Sequence, residues 1–159
     1  EQYLLFQTID DPCLYLRLAE MEVDAQSSNI KHSGGFVVRV KIIRLQNIEG
    51  ISDLRDSSQL QAFQQFIFDK EYSADEALGP NFHWISVGPQ SYLAENASLK
   101  NSDPRHIFFR PIDHRHALMI DATFEGFLPM GTPFPPELHE ACMDVIKDFL
   151  SHIELSPRD

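Results

Sequence analysis

Residues His114 to Ile153 constrain this chain more than any other stretch. Ala117 to Phe124 reads as a strand, and Gly126 to Pro136 as an apolar loop whose Pro and Gly content rules out regular structure. Beyond it, Glu137 to about Ile153 has the spacing of a long amphipathic helix, with Leu138, Cys142, Val145, Ile146, Phe149 and Ile153 on one stripe. A helix striped in this way must bury that side against another layer, and the strand beside it in sequence points to a sheet.

The rest of the chain supplies that sheet. Residues 3–9 form a short apolar run stopped by Asp10-Asp11-Pro12. From Leu14 to Ala25 the apolar positions are even at first (Leu14, Leu16, Leu18) and odd later (Met21, Val23, Ala25), which requires an extra residue, a β-bulge near Ala19-Glu20. Gln26 to Gly35 reads as a hairpin connection, and Phe36 to Leu45 as a strand with one wholly apolar face. Ser58 and Gln61 have capping-box spacing, and Leu60, Phe63, Phe66 and Ile67 continue as a helix to about Tyr72. Phe82 to Val87 and Ile107 to Arg110 are further strands, while Gln90 to Pro104 reads as a polar loop. The order βββαβββα, with short turns between successive strands, predicts an α+β fold: a mainly antiparallel sheet of about six strands packed by two amphipathic helices in two layers. A length of 159 residues fits a single domain, 1–159, which at that size removes roughly 70% of the extended chain's surface and so needs no staple.

Charge narrows the partners. With 24 acidic against 13 basic side chains the formal charge is −11, so the summed field repels phosphate backbones and anionic lipid and favours a basic protein surface. The same acidity also serves simple solubility. No apolar run reaches the ~18 residues of a membrane span. The sequence opens at Glu1 without Met, as expected of a processed or trimmed species. Cys13 and Cys142 could close almost the whole chain in an oxidising compartment, or could be two small core residues.

Motifs for chemistry are few. His139-Glu140 begins the zinc-protease pattern, but the second His it needs is Met143. Asp113, His114 and His116, with His106, are the densest set of ligand-type side chains, and alternate residues of an extended strand point the same way. In a turn such residues are more often solvated polars than ligands. There is no G-x-S-x-G, C-x-x-C, G-x-G-x-x-G or P-loop, so no catalytic, metal or cofactor set is assigned. On the last helix, Glu137, Glu140, Asp144 and Asp148 fall within about 80° of arc. Their alignment costs helix stability through like-charge repulsion, so the row is either a docking surface for Lys and Arg or a solvated helix back. The preceding loop puts Phe127, Leu128, Met130 and Phe134 where they either pack down as a lid or anchor a partner.

In layout, the last strand, the Pro-bounded loop and the helix ending Ser151-His152-Ile153-Glu154-Leu155-Ser156-Pro157-Arg158 resemble the end of bacterial immunity proteins that neutralise type VI secretion effectors, periplasmic lipase-immunity proteins among them. The likeness covers the C-terminal third, and no family motif carries over residue by residue. It implies a non-enzymatic, periplasmic or otherwise exported inhibitor that occludes an effector's active site, with a cytoplasmic setting as the alternative. Two other readings stand beside it: an interaction or regulatory domain of a larger assembly, and a small metal-dependent hydrolase using the His106/His114/His116 region.

Overall fold

The computed structural model describes residues 3–8, 11–25, 30–71, 77–99, 105–125 and 136–155, with side chains placed over 37–70, 81–95, 105–123 and 136–155. The elements run β1 (Tyr3–Thr8), β2 (Asp11–Ala25), β3 (Ile30–Arg44), α1 (Ser57–Glu71), β4 (Ala77–Val87), β5 (Gln90–Leu99), β6 (Arg105–Pro111), β7 (His116–Glu125) and α2 (Pro136–Ser151). The fold is α+β. The described strands form one antiparallel sheet in the order β1-β2-β3-β7-β6-β5-β4, two meanders joined where β7 pairs with β3.

Several expectations hold in detail. The register of β2 on β3 shifts between Arg17 and Ala19, so the extra residue lies beside the position where the apolar alternation changes phase. Both helices begin and end within two residues of their expected limits. Three expectations need correction. Residues 90–99 are a strand, not a loop: β5 is hydrogen-bonded to β4 on one side and β6 on the other, which makes seven strands among the described residues. Its apolar residues are a short run, Tyr92, Leu93 and Ala94, followed by Glu95 and Asn96 and then only Ala97 and Leu99 among polar side chains, a pattern that reads as loop. Gly88, at φ +58°, is the first central residue of the two-residue turn that pairs Val87 with Gln90, a position that glycine occupies without strain. Helix α1 is capped by Asp56, not by the Ser58–Gln61 box; the Asp56 carboxylate accepts from the N–H groups of Ser58 (2.9 Å) and Gln59 (3.0 Å) and from the Ser58 hydroxyl.

The third correction concerns layers. Along β6, Phe108 packs with Leu138, Cys142, Ile146 and Leu150 of α2, whereas Ile107 and Phe109 pack with Leu60 and Phe63 of α1. The helices therefore cover opposite faces, in three layers rather than two. Each of these buried Leu, Ile and Phe side chains contributes roughly 1.5–3 kcal/mol by leaving water. Cys142 is a fully buried free thiol, pushed up to about 11 by burial, so the closure with Cys13 does not form.

The α1 face also buries charge. Asp121 of β7, 2% exposed, receives two parallel hydrogen bonds from Arg105 of β6, both 2.8 Å, and Arg39 of β3 lies 3.5 Å away. On β5, Glu95 accepts a hydrogen bond from Gln64 of α1 at 3.0 Å, with both side chains buried. Removing one partner from such a cluster is more costly than the pair is worth, because desolvated charge remains behind. Asp121→Ala is expected to lower unfolding free energy by about 3–5 kcal/mol in urea titrations, against within about 0.5 kcal/mol for Glu140→Ala on the exposed side of α2.

Candidate functional site

Helix α2 opens with Pro136, whose missing N–H is harmless in the first turn. Leu138, Cys142, Ile146 and Leu150 are all 0% exposed and aim at the sheet. The opposite side carries Glu137, Glu140, Asp144 and Asp148, every one exposed. The structure thus brings together on one outward surface the four acids expected to form a row. The basic atoms near them are the Lys147 ammonium, 3.9 Å from Asp144, and the His152 ring, 3.9 Å from Asp148. Both contacts are long and solvated, worth little individually. The proposed apolar anchors Phe127, Leu128, Met130 and Phe134 lie outside the described residues.

The far end of α2 is tied to the sheet by hydrogen bonds. The Tyr92 hydroxyl lies 2.6 Å from Gln90 Oε1 and 3.0 Å from the Leu150 carbonyl, the Gln90 amide donates to the Ile153 carbonyl, and Arg110 donates to Gln90. These contacts satisfy carbonyls that a helix end leaves open. Desolvation in this setting raises the Tyr92 phenol above its usual value.

The histidine cluster expected around residues 106–116 divides into two. Asp113 heads a tight turn after β6: its carboxylate accepts from the backbone N–H of Arg115 (2.7 Å) and of His116 (2.8 Å), and the His116 ring lies at 2.9 Å. The bond from Arg115, followed by that from His116, holds Asp113 down to about 2. The His114 carbonyl accepts from Leu54, and its side chain is exposed. His106 sits at the opposite end of β6, buried on the α2 face. There it meets His139 of α2, Nε2 to Nε2 at 3.1 Å. His106 and the His114/His116 pair therefore do not form one site, which corrects the arrangement behind the hydrolase reading. Among the described residues no three His, Cys, Asp or Glu side chains converge as metal ligands.

Two features were not foreseen. One is the group of buried Asp121 with Arg105 and the partly exposed Arg39; its only trace in the sequence is an acid, Asp121, on the same strand face as Ala117 and Met119. The other is a cleft of about 450 Å³ between the segment after β3 and the turn after β6, with Leu45, Ile48 and Ile51 apolar and Glu49, His114 and Arg115 polar at its edge. Its walls are joined by Leu45 N–H to the Arg115 carbonyl (2.6 Å) and Leu54 N–H to the His114 carbonyl (3.0 Å). The Gln59 side chain straps the same segment by accepting from the N–H groups of Ser52 (2.7 Å) and Asp53 (3.0 Å).

Burial, then the charges of His139 and His83, pushes His106 down from its ordinary 6.5 to about 4, and burial lowers His139 as well. A folded state that keeps His106 neutral faces an unfolded state that takes up a proton near 6.5. The unfolded chain therefore binds more protons between those values, and stability falls as pH drops from 6.5 to 4, by at most about 3 kcal/mol from this group. Asp113 and Asp53, both held near 2, lose their contributions only below the ordinary carboxylate value of 3.8. Urea unfolding at pH 7, 5.5 and 4.5 is expected to show the first loss, and His106→Gln to flatten it. Comparison of this chain with family models, curated proteins and solved structures yields no match, so its functional reading rests on the geometry above.

Proposed function

We propose that this chain is a non-enzymatic acidic protein-binding module, of the immunity or inhibitor kind, that neutralises a secreted toxin or effector by occluding its active site in the periplasm or another exported setting. The observation that carries the reading is the row Glu137, Glu140, Asp144 and Asp148, exposed along a helix whose other side is committed to the core. Carboxylates on a rigid helix of a chain with net charge −11 attract a basic partner over a Debye length and orient its approach. The apolar residues of the preceding segment, Phe127, Leu128, Met130 and Phe134, supply the water-excluding anchor that gives such a complex its lifetime. The resemblance to type VI immunity proteins agrees with this division of roles.

A different observation favours the second reading, an interaction domain of a larger assembly. Trp84 is 46% exposed on β4, and β4 is an edge of the sheet. A large aromatic on a strand at the edge of the described sheet suits addition of a partner strand.

The two readings separate in kinetics. A partner purified by affinity capture should associate more slowly as salt rises from 50 to 300 mM, and the neutral variant E137Q/E140Q/D144N/D148N should slow association at low salt by about tenfold or more. Trp84→Ala should then act on dissociation alone or not at all. An association rate indifferent both to salt and to neutralising the row would overturn the first reading, and a loss of binding confined to Trp84→Ala would favour the second.

A further inference from the structure

The imidazoles of His106 and His139 meet tip to tip. Their Nε2 atoms are 3.1 Å apart while the ring centroids are 5.0 Å apart and the planes tilt by 55°. A direct hydrogen bond across that gap requires opposite tautomers, one Nε2 protonated and the other bare. The same spacing is also the bite of a chelate. With metal–nitrogen bonds of about 2.0–2.1 Å, two nitrogens so placed subtend roughly 95–100° at a shared ion, between the octahedral and tetrahedral angles.

The surroundings suit that use. His106 is 2% exposed, its ring stacked at 20° on Phe108, so its direction is fixed by packing. His139 is half-buried in the first turns of α2. His83 stands on the same sheet face, since it pairs with Ala94, which pairs with Phe108. The net charge of −11 raises the local concentration of any dication.

We propose that His106 and His139 form a two-imidazole site for a borderline divalent transition-metal ion, Zn²⁺, Ni²⁺ or Cu²⁺, and that the bound ion clips the start of α2 to β6. Nitrogen-only donors of this kind favour these ions over Mg²⁺ or Ca²⁺, which take oxygen. The sequence offers no motif for it, because the ligands lie 33 residues apart on a strand and a helix.

The test uses untagged full chain and Zn²⁺ alone. Titration calorimetry at pH 7.5 is expected to give one saturable site, and melting at a hundredfold excess over Kd to rise by about 5–10 °C. His139→Gln is expected to weaken that site at least about tenfold and to abolish most of the melting shift, while His152→Gln and His114→Gln leave both unchanged. Cu²⁺ electron paramagnetic resonance should show two histidine nitrogens in the wild type and one in His139→Gln. His139→Gln serves here because its ring is only half-buried, whereas replacing His106 risks the core. Absence of saturable binding, or binding that survives His139→Gln unchanged, would overturn the proposal.

Discussion

Ten residue pairs between β3 and β7, from Gly35 with Glu125 to Arg44 with His116, join what would otherwise be two separate meanders. These pairs bridge about eighty residues of chain, a contact whose loop-closure entropy must be recovered by what it assembles. The seam assembles both cores. On one face it sets Val38 of β3 with Ile120 and Ala122 of β7 under α2, and on the other it sets Arg39 opposite Asp121 beside α1. Neither helix has a complete floor without it.

The charges on the α1 face bear on why the seam forms in this register. A slip of β7 by one residue would turn Asp121 toward α2, among Val38, Phe108 and Ile146, and would turn Ile120 toward the guanidinium groups. The first move buries a carboxylate with no cation, and the second strands Arg105. Three layers leave little tolerance for such an error, because both faces of β6 and β7 are covered. The Arg105–Asp121 pair is thus better understood as a constraint on register than as a source of net stability, since pairing charges in a low-dielectric setting recovers little more than their desolvation costs.

Much of this was legible in the sequence where periodicity is undisturbed. The phase change after Leu18, the alternating Phe36 to Arg44 and the two helical stripes each state their element plainly, and the acidic row follows from the same 3.6-residue period that defines the core stripe of α2. Residues 90–99 were not legible, because Glu95 occupies a position that looks solvent-facing until Gln64 arrives from α1 to meet it. The placement of helices on opposite faces was hidden for a related reason. Strands such as Arg105–Pro111, apolar on both sides from Ile107 to Phe109, do not say which helix takes which side. Of the site, the row could be read and the His106–His139 contact could not, since it depends on how far α2 travels across the sheet.

That crossing gives α2 its value as a presenting element. Its C-terminal end is fixed by Tyr92, Gln90 and Arg110, its middle by Cys142 and Ile146, and its start by the contact of His139 with His106. A helix restrained at both ends loses little further freedom when a partner docks, so the conformational cost that usually offsets interface contacts is already met on folding. The same restraint holds four like charges in alignment, which a frayed helix would relieve by unwinding. Holding them together costs stability that the apolar stripe must offset. The recognition proposed for this face therefore rests on both the charge row and the anchoring of the helix that bears it.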